Sequence, residues 1–182
     1  MKKRTWMFIL GMLVIMATTA ISFASTASTG TSIVVNGSGN TMTATIATAL
    51  PTWTPTANRA GDIPGGTTTT GGTTAFTNGY LFDIDVKSNT DVFATLYLAN
   101  SPALSKSYSY LNLNVGVYKV VDGVLTEVPD SAELLSLTNG YVTLQLSGAA
   151  DGKYKIALKG GSFYCLSTTA GALAPQFTID LR

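Results

Sequence analysis

Asp83, Asp85 and Asp91 form the densest acidic group in this chain, within the run Leu81-Phe82-Asp83-Ile84-Asp85-Val86-Lys87-Ser88-Asn89-Thr90-Asp91. Grouped carboxylates can bind calcium, and a pair of them can act as acid and base in glycoside hydrolysis. An EF-hand calcium loop starting at Asp83 would need Asp or Asn, then Gly, then Glu where this chain has Lys87, Ser88 and Ala94. Phe82, Ile84 and Val86 instead alternate with Asp83, Asp85 and Lys87, the period of a strand with one wet face. Histidine is absent from all 182 residues. That removes Ser-His and Cys-His pairs, the usual zinc-protease motifs and most imidazole acid-base chemistry. Lys153, Lys155 and Lys159 frame another alternating strand and read as a solvated face. The run Gly65-Gly66-Thr67-Thr68-Thr69-Thr70-Gly71-Gly72 has neither the Lys nor the strand-to-helix setting of a phosphate-binding loop. No catalytic residue, cofactor or metal is expected, and the chain is read as a non-enzyme.

The elements that carry these residues begin after an export signal. Lys2, Lys3 and Arg4 form a basic start, Trp6 to Ala17 is uncharged and hydrophobic, and Ser22-Phe23-Ala24 offers small residues at the −3 and −1 positions. Cleavage is therefore expected between Ala24 and Ser25, with Ser25-Thr26-Ala27 as a second match nearby. Thr18, Thr19 and Ser22 weaken the segment as a retained membrane anchor. A type IV pilin would be cut between the basic cluster and the hydrophobic run, where this chain reads Arg4-Thr5-Trp6. Three of the 11 basic residues lie in that start, so the remainder holds 8 against 10 acidic residues, a balance of −2. Neither nucleic acid nor, after cleavage, a membrane is an expected partner.

Only 12% of residues are charged, against about 25% in an average soluble domain. Thr, Ser, Asn and Gly supply the polarity, giving a neutral, hydroxyl-rich surface that suits side-by-side packing or sugars as well as plain solvation. Cys165 is the one cysteine, so an intramolecular disulfide is excluded; in Phe163-Tyr164-Cys165-Leu166 it reads as a buried, inert thiol.

Strand signals recur from Ser32 to Val35 and from Thr41 to Ala47, and Asn36-Gly37-Ser38 between them makes Asn36 a candidate glycosylation site. Residues 51–79 lack periodicity and read as a long Thr- and Gly-rich surface loop. Strands are then expected over Tyr80–Lys87, Val92–Ala99, Leu111–Val121, Val124–Val128, Tyr141–Ser147, Tyr154–Lys159, Phe163–Leu166 and Gln176–Leu181. Asp122-Gly123, Asn139-Gly140 and Asp151-Gly152 mark turns needing positive φ. Asp130 to Leu135 is read as a single helical turn started by Asp130 or Ser131. The expected fold is all-β: one jelly-roll-type β-sandwich over residues 37–182, preceded by a signal-peptide helix over 1–24 and a short strand segment over 25–36.

The early strand, then Gly61-Asp62-Ile63-Pro64, then the strand pair from Leu81 to Leu98 resemble the layout of the TasA and archaeal bundling-pilus group. That resemblance covers about the first half of the chain after the signal. It implies a secreted jelly-roll subunit that polymerises with itself into an extracellular, cell-surface filament, a pilus or biofilm matrix fibre, with filaments bundling laterally. It further implies assembly by donor-strand complementation, in which each subunit's first strand fills a groove in its neighbour. On this chain the donor segment is Thr31, Ser32, Ile33, Val34 and Val35, beside the flexible Gly30. The alternative is that this strand pairs within its own sandwich. The long 51–79 segment departs from the compact bacterial members and favours an archaeal-like one. Some bacterial relatives carry a metalloprotease label, which a chain without histidine gives no physical support. A secreted carbohydrate-binding or surface-layer module is the alternative function.

Overall fold

A computed structural model describes residues 21–22, 24–25, 33–35, 40–47, 50–53, 55, 59–70, 73–88, 91–147, 151–166 and 173–182. The expected signal peptide, apart from positions 21, 22 and 24, lies outside these residues, as do Thr31, Ser32 and Asn36. Four strands come first: β1 (Ile21–Ser22), β2 (Ala24–Ser25), β3 (Ile33–Val35) and β4 (Asn40–Ile46). The Thr- and Gly-rich stretch holds β5 (Thr52–Trp53), β6 (Arg59–Ile63), β7 (Thr67–Thr70) and β8 (Thr73–Phe76). Then come β9 (Tyr80–Lys87), β10 (Val92–Leu98) and a helical turn, α1 (Ser101–Leu104). The chain continues through β11 (Tyr108–Val121), β12 (Val124–Glu127), β13 (Glu133–Ser136), β14 (Tyr141–Ser147), β15 (Gly152–Cys165) and β16 (Gln176–Leu181).

The architecture is all-β and sandwich-like. The larger sheet runs β12-β11-β15-β9-β4-β3, with β13 also paired to β11; the second runs β14-β10-β16-β2. Alternation builds the core between them. Phe82, Ile84 and Val86 of β9, Val92, Ala94, Leu96 and Leu98 of β10, and Phe177 and Leu181 of β16 are all buried in one apolar cluster. Each of these side chains larger than alanine contributes about 1.5–3 kcal/mol. At Asp122-Gly123 the chain reverses between β11 and β12 with φ of 50° and 80°, the left-handed pair a two-residue hairpin demands.

Three expectations are corrected. Residues 51–79 are not a loop. They contain β5 to β8 because a few apolar anchors replace periodicity: Trp53 and Ile63 are buried, and Trp53 stacks on Phe163 with ring centroids 5.9 Å apart. Threonine then favours the extended hairpin of β7 and β8. Glycine permits the close packing of β6 and its exit against β15: a Cβ on Gly65 would stand 2.3 Å from the backbone nitrogen of Gly160, and one on Gly61 would stand 2.6 Å from the Phe163 ring.

The second correction joins Tyr154–Lys159 and Phe163–Leu166. They are one strand, β15, which passes through Gly160-Gly161 at a bulge opposite Asn114 and Val115. The third concerns Asp130 to Leu135. Asp130 takes φ of 56°, and the buried Ser131 hydroxyl accepts from the Val117 N–H at 3.0 Å and donates to the Val117 carbonyl at 3.3 Å. With that hydroxyl spent on the edge of β11, no helix starts, and Glu133–Ser136 pairs with β11 as β13.

Candidate functional site

Asp83 and Asp85 project from β9 on the outer face of the larger sheet, opposite Lys155 and Lys153 of β15. With Thr43 and Thr45 of β4 these side chains line an open depression of about 410 Å³. Alternate residues of a strand stand about 7 Å apart, so the two carboxylates are near enough for paired chemistry. Their partners point elsewhere. Lys155 Nζ lies 2.5 Å from Asp83 Oδ1, the Tyr80 hydroxyl donates to Asp83 Oδ2 at 3.3 Å, and the same ammonium sits 3.8 Å from the centre of the Tyr80 ring. Both Asp83 oxygens are thereby engaged in tying β9 to β15. Burial works against the charge on Lys155, but its hydrogen bonds to Asp83 and Tyr80 and the Asp83 charge outweigh it and raise its pKa. A lysine held so firmly protonated is a poor base or nucleophile. Among the described residues, no group of three or more Cys, Asp or Glu side chains is arranged to hold a metal ion.

Beside this depression the β7–β8 hairpin rests on the same face. Phe76 meets Tyr80 at 5.3 Å and Tyr118 edge-on at 5.0 Å between centroids. The Thr77 hydroxyl donates to the Gly65 carbonyl at 2.8 Å and the Asn78 amide to the Pro64 carbonyl at 2.9 Å, closing the hairpin's base.

The outer face of the smaller sheet carries an exposed aromatic pair, with Asp180 of β16 beside it as the register partner of Thr95. Tyr97 of β10 and Tyr141 of β14 are register partners, 40% and 55% exposed, with centroids 5.9 Å apart. The Thr95 and Thr143 hydroxyls share a hydrogen bond at 3.3 Å one step along the sheet.

The expected donor segment lies on one flank. Ile33, Val34 and Val35 pair antiparallel with Met42, Thr41 and Asn40, making β3 the short outermost strand of the larger sheet. In the single chain, then, the described part of the segment, Ile33 to Val35, pairs with its own β4. The expected cleavage residues, Ala24 and Ser25, run parallel to Gln176 and Phe177 on the edge of the smaller sheet. β4 and β16, which belong to different sheets, approach one another on this flank. The N-terminal pieces thus touch the edges of both sheets on one side of the molecule. Alternation in Phe177, Ile179 and Leu181 marks β16 as a strand, but no sequence signal marks it as an edge. No protein-family model matches the chain, and no curated protein matches it.

Proposed function

We propose that this chain is the structural subunit of an extracellular filament, a pilus or biofilm matrix fibre. In this reading it is exported with cleavage between Ala24 and Ser25, folds as a jelly-roll-type sandwich, has no enzymatic role, and polymerises with itself at the cell surface while filaments bundle laterally. The joint is donor-strand complementation through Thr31 to Val35. One observation carries the reading: among the described residues, the seven-residue strand β4 is paired on its outer side by the three residues of β3. A strand so short contributes few backbone bonds, each worth about 0.5–1.5 kcal/mol, so exchanging it for the same strand of a neighbour costs little. Exchange keeps the register and adds a connection between subunits.

Electron microscopy of the exported protein tests this directly. Fibres are expected from the processed chain and none from a chain lacking Ser25 to Val35 that remains folded by circular dichroism. Normal polymerisation of the truncated chain overturns donor-strand exchange through this segment.

A second reading, a carbohydrate-binding module, is favoured by the Tyr97–Tyr141 pair and the hydroxyls beside it, since flat aromatic faces flanked by polar groups suit sugar rings. Saturable binding on a glycan array, lost in Tyr141→Ala, would support it.

A further inference from the structure

The side chains most easily oxidised are distributed unevenly between the core and the surface. Beyond the expected cleavage point the chain holds one methionine, one tryptophan and one cysteine, and all three, Met42, Trp53 and Cys165, are buried. Tyrosine is what remains for an oxidant in solution to reach. Of the eight tyrosines, Tyr108, Tyr118 and Tyr154 are buried. Tyr80 lies under the Lys155 ammonium, 3.8 Å from its ring centre, and a positive charge there opposes removal of an electron from the ring. The exposed ones, Tyr97, Tyr110 and Tyr141, each stand beside another tyrosine. Tyr97 faces Tyr141 across β10 and β14, and Tyr110 faces Tyr164 across β11 and β15, with ring centroids 5.9 and 6.3 Å apart.

We propose that Tyr97 and Tyr141 form an oxidative crosslinking site, at which hydrogen peroxide acting through a haem peroxidase couples the two rings into a dityrosine staple between β10 and β14. The proposal does not depend on how subunits assemble. Each phenol gives up one electron and its hydroxyl proton. The unpaired electron of the resulting phenoxyl radical is shared with the ring carbons ortho to the oxygen, and a carbon–carbon bond forms between one ortho carbon of each ring. Those two carbons then release their hydrogens as protons, and two protons return to the oxygens. In sum the pair loses two electrons and two protons; one peroxide takes up both and leaves as two waters. The fold favours this coupling in three ways. Both rings are open to solvent, at 40% and 55% exposure, so the oxidant reaches them. As direct register partners they hold their Cβ atoms about 4.5–5.5 Å apart. The next register pair, Leu96 and Val142, is buried, which keeps the strands from slipping. A radical on either ring therefore has its partner always at hand, whereas a tyrosine of another chain must be met by diffusion. Tyr110 and Tyr164 are farther apart and Tyr164 is half-buried, so that pair reacts second. The staple joins strands far apart in sequence and restricts the unfolded chain as a disulfide does, in a protein whose single cysteine excludes one.

Peroxide and a haem peroxidase, added to a dilute solution of the processed chain, test the site. The protein should acquire dityrosine fluorescence while its mass stays that of one chain less two hydrogens, and digestion should yield one joined peptide containing Tyr97 and Tyr141. Tyr97→Phe and Tyr141→Phe, each folded by circular dichroism, should lose most of the fluorescence, and Tyr110→Phe should keep it. The coupled chain should unfold at a higher urea concentration than the untreated one, a shift that Tyr141→Phe treated in the same way should not show. Absence of dityrosine in the parent chain overturns the proposal. So does fluorescence confined to covalent dimers, a crosslink found at Tyr110 and Tyr164 ahead of this pair, or a signal that survives in Tyr141→Phe.

Discussion

Lys155 is the cation around which the outer face of the larger sheet is arranged, and its raised pKa sets a pH dependence. Tyr108 and Tyr118 are shifted the same way. Burial lifts both, helped by Cys165 beside Tyr108 and by the Glu127 charge beside Tyr118. In all three the folded value exceeds the unfolded one. The stability they contribute is whole below about pH 10 and is lost as pH climbs through the folded values. Thermal melts between pH 7 and 11.5 should be level at first and fall above about pH 10. Asp83→Asn should cost less than about 1 kcal/mol at neutral pH, because the ion pair is partly solvated, and should shrink the alkaline loss to the tyrosine share. A melt of Asp83→Asn that falls as steeply as the parent's would remove Lys155 from the account. Glycines give the opposite kind of sensitivity. Gly161→Ala forces a methyl against the Asn112 carbonyl oxygen at 2.2 Å, and should lower unfolding stability by about 1–3 kcal/mol in a urea titration.

Among the elements, the β7–β8 hairpin depends on one ring. Phe76→Ala removes its contact with Tyr80 and Tyr118 and should cost about 1–2 kcal/mol while leaving the sandwich folded. Protease cleavage between Thr67 and Phe76 should accelerate with little change in circular dichroism; unchanged cleavage would mean the threonine backbone pairing suffices. The hairpin also shows where the sequence could be read and where not. Strands with alternating faces, such as Phe82-Asp83-Ile84-Asp85-Val86, and turns such as Asp122-Gly123 were legible because local periodicity and positive φ leave local marks. β6 to β8 were not, because their support comes from residues far along the chain: Lys159 and Gly160 for Gly65 at the exit of β6, Tyr118 for Phe76. Ser131 was misread for the same reason, its hydroxyl serving Val117 rather than a helix start. Of the candidate site, β3 was visible as a short β-branched run, whereas the place of β16 beside β10 and β2 exists only once strand order is known.

At the scale of the molecule, stability rests on the core rather than on covalent ties, since the single cysteine, Cys165, is buried and has no second cysteine in the chain to bond. A body lacking Ser25 to Val35 should then be rescued by the missing strand alone. Synthetic peptide of that segment, at a hundredfold over its Kd, should raise the stability of the truncated chain by about 2.7 kcal/mol and stop fibre growth by the full chain. A thermal-shift assay showing no change would argue against an acceptor groove of any kind. The long pair β11 and β15, side by side from Tyr108 to Val120 in the larger sheet, has a mechanical consequence. A pull along such strands loads every backbone bond of the ladder together, whereas a pull across them parts the bonds one after another. Subunits joined through strands laid along this sheet would meet tension in the first way, and the resulting fibre would stretch little before it breaks.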